Sequence, residues 1–230
     1  MARIILVGGG SASGKTYVTN LVMKEIGEEN VTRISLDDYY KDLTNIPFEE
    51  RTKINYDHPK AFDWKLIRQQ IQDIKEDKII EKPVYDFTIH NRSDKIEKVT
   101  SKKLVIVEGI MALIDKDLRD LSDLKIFIDA SSERRFLRRI LRDTNERGRT
   151  ISSVVNQYFT TVQPMYDEII KPSSQYADLI INNDGQKNLA VDALAALLKA
   201  ELDIAPNPNK AHHKQENEFS EERLTKAFGK

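Results

Sequence analysis

"GGGSASGKT", Gly8–Thr16, follows the apolar run "IILV" (Ile4–Val7) and decides how the rest of the chain reads. It contains Gly9-x-x-x-x-Gly14-Lys15-Thr16, the spacing of a loop that wraps phosphate groups. Glycines at 9 and 14 let the backbone curl, so that N–H groups along Gly9, Gly10, Ser11, Ala12, Ser13 and Gly14 point inward at phosphate oxygens. A helix starting at Lys15 adds its positive N-terminal end. Lys15 brings a charge to the β- and γ-phosphates, and the Thr16 hydroxyl is placed to ligate Mg²⁺. The flanks suit this: a strand-like run precedes the loop, and Val18, Leu21, Val22 and Ile26 recur at helical spacing after it, with Gly27 at the C-cap position.

Working outward, four more short apolar runs read as buried strands: Val31–Leu36, Leu104–Val107, Leu124–Ile128 and Leu179–Ile181. Helical stripes lie between and after them. Leu66, Ile67, Ile71 and Ile74 form one, capped by Asp63. Phe136, Leu137, Ile140 and Leu141 form another. Val154, Val155, Tyr158, Val162 and Met165 form a third, which Pro164 is expected to kink or break. Leu194, Leu197, Leu198 and Leu202 form the last. This alternation predicts an α/β fold: a P-loop NTPase-like parallel five-stranded sheet with helices on both faces. Such sheets bind ligands at the carboxyl ends of their strands, which singles out Gly8–Thr16, Asp37 and Asp38, Glu108 and Gly109, and Asp129. Glu108 ends another buried run, Leu104–Val107, where an acid holds Mg²⁺, usually through water. Residues 82–103 predict a β-hairpin around the polar "HNRSD". The polar stretch 203–230 reads as a mobile tail, in which Ser220 has the makings of a helix cap, with Phe219 and Leu224 as a staple.

Composition narrows the function classes. Lys+Arg is 36 and Asp+Glu is 37, so the basic excess expected of a nucleic-acid binder is missing. No cysteine is present, which excludes disulfides and thiol nucleophiles. The apolar runs are too short to cross a membrane and the first residues lack a signal-peptide layout, so a cytoplasmic location is expected.

The remaining question is where the phosphate goes. The Asn-Lys-x-Asp and Asp-x-x-Gly patterns of a GTPase are absent. A small-molecule kinase needs a base for the acceptor hydroxyl and mobile cations over the transferring group. "SLDDYY" offers two bases, Asp37 and Asp38, which spacing alone leaves open. "ERRFLRRILRDTNERGR" holds seven arginines between Arg134 and Arg149. Arg142, Arg147 and Arg149 straddle Gly148 in a region that reads as a lid, whereas Arg134 and Arg138 read as a solvated helix face.

At this point the motifs reach a known family. "GSASGKT", "DDYYKD", "NYDHP", "PVYDFTIHNR", "IVEGI", "RRILRDTNERGR", "VQPMY" and "QYADLII" occur in the order found in the uridine kinase (uridine–cytidine kinase) family, and the resemblance spans about residues 4–200. It implies Mg²⁺-dependent transfer of the ATP (or GTP) γ-phosphate to the 5′-hydroxyl of uridine or cytidine, in pyrimidine salvage. It implies a kinase domain over 1–202, with a hairpin nucleoside clamp and an Arg-rich lid over about 139–150. By position it makes Asp37 the base, with Lys15 beside it, and Thr16, Glu108 and Asp37 the metal side. Asp57, Tyr85, Phe87, His90, Arg139 or Arg142, and Gln157 would hold the nucleoside. Arg142, Arg147 and Arg149 would contact the ATP phosphates. A homotetramer is also implied, with no nucleic-acid or membrane partner. The alternatives are a phosphoribulokinase-like kinase of another small alcohol and a non-catalytic nucleotide-binding regulator. The chain departs from the family at Asn182-Asn183-Asp184, where many members have a Pro-Arg-Gly-like turn, which bears on donor preference.

Overall fold

The run after Ala2 forms the central strand, and its period of two feeds two cores. Ile4 and Leu6 point to one face, Ile5 and Val7 to the other. The structure is a computed structural model that describes residues 1–185, 189–202 and 221–228. In chain order the elements are β1 (Arg3–Gly9), α1 (Lys15–Ile26), β2 (Val31–Ser35), α2 (Phe48–Arg51), α3 (Trp64–Lys75), β3 (Ile80–Asp86) and β4 (Asn91–Val99). They continue with β5 (Leu104–Glu108), α4 (Lys116–Leu121), β6 (Leu124–Asp129), α5 (Ser132–Asn145), α6 (Ile151–Gln157) and α7 (Gln163–Met165). The last are β7 (Leu179–Asn182), α8 (Leu189–Glu201) and α9 (Glu221–Phe228).

Five strands form one parallel sheet in the order β2-β5-β1-β6-β7. On one face Ile67, Ile71 and Ile74 of α3 and Leu118 of α4 pack on Leu6, Ile34, Val105 and Phe127. On the other, Val18, Val22, Leu194 and Leu198 of α1 and α8 pack on Ile5, Val7, Ile106 and Ile128. Each such side chain contributes about 1.5–3 kcal/mol by leaving water. Both sequence-read caps form. Asp63 accepts from the Leu66 N–H at 3.1 Å, and Gly27, at φ 94°, ends α1. The register pairs Val7 with Glu108 on one side and with Ile126 on the other. That sets the loop after β1 between the ends of β5 and β6.

Two local expectations are corrected. The hairpin is β3–β4, so it starts earlier than residue 82, and it turns at 87–90, which shares only His90 with "HNRSD". Asp86 holds that turn by accepting from the Thr88 N–H and hydroxyl (2.8 and 2.6 Å), and His90 adopts a left-handed φ of 49°. Pro164 does not end its helix. The helix widens into a π turn at Tyr158–Val162, where the Gln163 N–H reaches back to the Tyr158 carbonyl, and again at Tyr166–Ile170. Bonding one residue further along lets carbonyls reach past the proline, which has no N–H.

The tail expected at 203–230 lies mostly outside the described residues, including Phe219 and Ser220 of the staple. Within it, α9 packs on α5 with Ala227 buried and Arg223 Nη2 3.9 Å from Glu146 Oε1. Among the described residues, no helix is long and apolar enough to cross a membrane.

Candidate active site

The phosphate loop shows why its glycines are required. Gly9 has φ 140°, and a Cβ there would lie 2.3 Å from the Ile128 carbonyl oxygen. Gly14 has φ 93°, and a Cβ there would lie 2.1 Å from Asn183 Nδ2. Lys15 folds over the loop, donating to the carbonyls of Gly9 (2.9 Å) and Gly10 (2.8 Å). Burial pushes its ammonium down to about 8, against the pull of Asp37 and Glu108. At the end of β5, Glu108 Oε1 accepts from the Thr16 hydroxyl at 3.2 Å and pairs with Arg33 Nη2 at 2.8 Å. Glu108 Oε2 is buried without a hydrogen-bond partner among the described residues. That orphaned oxygen beside a loop hydroxyl fits a small hard cation. Among the described residues, no three His, Asp or Glu side chains gather into a metal site of their own. The pair therefore suits Mg²⁺, which keeps water and phosphate oxygens among its ligands.

The two acids of "SLDDYY" have different neighbours. The turn Leu36–Tyr39 follows β2 directly, and the Ser35 hydroxyl accepts from the Asp37 N–H at 3.3 Å. Asp38 points at the hairpin, accepting from Lys82 Nζ (2.5 Å) and the Tyr85 N–H (3.3 Å). Asp37 faces the loop instead. Burial raises its carboxyl, opposed by the charges of Lys15, Arg147 and Arg142.

Aromatic rings line the space beyond Asp37. Tyr40 meets Tyr56 at 5.1 Å and Tyr85 at 5.0 Å; Tyr85 meets Phe87 at 5.1 Å; Tyr56 stacks on His90 at 5.7 Å. Tyr85, Phe87 and His90 therefore belong to one aromatic cluster, with Phe87 half exposed. Asp57 is buried, which raises its carboxyl against the charges of Arg139 and Arg142.

The arginines divide by task. Arg139 is buried and donates to Ser11 Oγ (2.7 Å) and Gln157 Oε1 (2.9 Å), tying the phosphate loop to α6. Arg149 also donates to Gln157 Oε1. Arg147 lies 4.8 Å over the Phe87 ring, so the segment between α5 and α6 touches the hairpin turn. Arg134 and Arg138 are not simply solvated. The turn after β7 lies against α5, where Arg138 donates to the Asn183 carbonyl (3.0 Å) and Arg134 comes within 3.8 Å of Asp184.

Sequence reading passed over Arg135, Tyr40 and Tyr56. Arg135 is buried, stacks 3.6 Å over Tyr166, and its Nη1 would touch a Cβ at Gly10 at 3.0 Å. Its spacing from Arg139 and Arg142 (i, i+4, i+7) was the available signal. Tyr40 and Tyr56 carried none beyond being aromatic. Asn183, in the departing turn, donates to the Ser13 carbonyl (2.8 Å) and, through its N–H, to that of Asp129 (2.8 Å). Beside it Asp184 accepts from the Ser131 N–H (2.8 Å), just before α5.

A phosphate loop between β5 and β6 of a parallel sheet, a strand-end acid and a cluster of arginines beside them are the features of a P-loop phosphotransferase. Residues 4–190 match the family described as "Phosphoribulokinase / Uridine kinase family", and the chain belongs to it. A uridine kinase of Ligilactobacillus salivarius is 46% identical over 196 residues, covering 85% of this chain and 92% of the relative. One of Clostridium botulinum is 46% identical over 201 residues, covering 86% and 98%. The phosphoribulokinase of Rhodobacter spheroides shares the fold, with a TM-score of 0.60 at 18% identity over 79% of this chain and 70% of that one.

Proposed function

We propose that the chain is a uridine/cytidine kinase, transferring the γ-phosphoryl group of ATP to the nucleoside 5′-hydroxyl. The observation that supports this is that the charges of Lys15, Arg142 and Arg147 bear on buried Asp37 while Arg147 lies over Phe87 in the aromatic cluster with Tyr85, Tyr56 and His90. The relatives' shared name supports the acceptor, and the cleft's aromatic lining suits a flat base better than a sugar phosphate, which calls for cations.

Loop amides from Gly9 to Gly14 and the start of α1 bind the triphosphate. Lys15 leaves the Gly9 and Gly10 carbonyls for the β- and γ-oxygens. Thr16, Glu108 and Asp37 form the side that would hold Mg²⁺, whose charge, when bound, offsets that of the phosphates. Asp37 accepts a hydrogen bond from the 5′-hydroxyl and takes its proton as the oxygen attacks phosphorus. Arg142, Arg147 and Arg149 stabilise charge on the transferring group and help exclude water. Asp57 and Arg139 or Arg142 meet ribose hydroxyls, and Tyr85 and His90 meet the base edge, with Gln157 steadying the arginines. GTP as a second donor, a tetrameric assembly and a cytoplasmic location belong to the same proposal.

The test is Asp37→Asn. Turnover with uridine should fall by about 10²–10⁴-fold, the usual worth of a positioned general base, with ATP affinity nearly intact. Near-normal turnover would refute the assignment.

A further inference from the structure

At the C-terminal end of α5, one carboxylate sits among four guanidinium groups. Asp143 is completely buried. Its oxygens lie 2.8 Å from Arg142 Nε, 3.5 Å from Arg139 Nε, 3.6 Å from Arg147 Nη1 and 3.9 Å from Arg149 Nη1. Its own backbone carbonyl accepts from the Arg149 N–H at 3.0 Å, so the turn through Gly148 closes back onto the same residue. Packing does not fix that turn: Gly148 has φ 65° and no heavy atom within 4 Å of where a Cβ would stand. The four arginines lead to separate parts of the site. Arg139 reaches Ser11 of the phosphate loop, Arg149 reaches Gln157, Arg147 covers Phe87 of the hairpin, and Arg142 acts on Asp37.

We propose that Asp143 is the positioning residue of this site: a fully buried carboxylate, with buried Asp57 also facing Arg139 and Arg142, that gathers Arg139, Arg142, Arg147 and Arg149 so that lid, phosphate loop and hairpin meet in one geometry. Like charges this close repel, and only an opposite charge among them makes the cluster favourable in a partly dry site. Burial works to raise the Asp143 carboxyl, and the arginines together outweigh it and hold it below the ordinary carboxylate range. The carboxylate thus stays charged wherever the kinase would act. It touches no substrate; its effect runs through the arginines. The inference rests on the kinase reading above, because it assigns those arginines to the transferring phosphoryl group.

The test is Asp143→Asn in the full chain, read as a split between turnover and donor binding. Loss of the carboxylate adds net positive charge near the triphosphate while releasing the arginines from their geometry. Turnover should fall by about 10²-fold or more, while the dissociation constant for ATP, by calorimetry, changes by less than about threefold or tightens. A coupling measurement adds a second readout. Arg147→Ala should cost about tenfold in the parent and much less in the Asp143→Asn background, because interacting sites are non-additive. Asp143→Glu, which keeps the charge and moves it by one methylene, should recover part of the loss. Turnover within threefold of the parent, equal losses in turnover and ATP affinity, additive effects with Arg147→Ala, or failure of both Asp143 variants to fold would each overturn the proposal. Uridine turnover by the parent, run alongside, separates this failure from that of the kinase reading. An active parent with an equally active Asp143→Asn sinks the positioning role alone.

Discussion

The donor and acceptor sides of the cleft are built by different means. The core of the proposed donor side is one continuous stretch, Gly8–Thr16, in which backbone amides and the start of α1 would form the binding surface. The proposed acceptor side is drawn from Asp37–Tyr40, Tyr56–Asp57, the β3–β4 turn and the α5–α6 region, and its working groups would be side chains. The two are joined chiefly where Arg139 donates to Ser11. A backbone-built site tolerates many side chains but no change in φ; a side-chain-built site tolerates backbone drift but not the loss of a group.

That contrast is breakable by mutation, and the largest effect is expected on the backbone side. Gly14→Ala places a Cβ 2.1 Å from Asn183 Nδ2 at a φ of 93°. Left-handed strain of about 1–3 kcal/mol plus that clash should weaken ATP binding by about 10²-fold, measured by calorimetry, and leave nucleoside binding unchanged. A matching loss on both sides would mean that the two halves are one unit. The next effect is a pH profile. Lys15 must be protonated to serve the phosphates, and burial holds it at about 8 in the free protein, so kcat/KM for ATP should decline as pH rises through about 8. On the acid side Asp37 must be deprotonated, and burial raises it, so activity should fall at a higher pH than a free aspartate would titrate. An alkaline limb displaced to the ordinary lysine range would contradict the burial of Lys15. The smallest effect belongs to the acceptor side: His90→Ala should raise KM for the nucleoside by about tenfold, one lost hydrogen bond, with KM for ATP unmoved.

Legibility in the sequence follows the same division. The phosphate loop, the five strands and the α3 cap were readable because each is specified within a dozen residues. Asp37 and Asp38 were not separable by local pattern; Lys82, forty-four residues away, draws Asp38 to the hairpin. The hairpin turn was misplaced because the polar "HNRSD" looked more turn-like than "FTIH", whereas Asp86 and a left-handed His90 set the reversal earlier. Asn183 and Asp184 looked like a lost donor contact. In the fold they brace Ser13 and the start of α5, a role visible only once β7 lies beside β6.

The most direct test of the whole assignment is ADP release from Mg·ATP by the purified chain, with uridine, cytidine, adenosine, ribulose 5-phosphate or no acceptor. Turnover with uridine and cytidine, and background rates with the other three, is the expected result. Turnover with ribulose 5-phosphate, or no stimulation by any acceptor despite tight ATP binding, would contradict it.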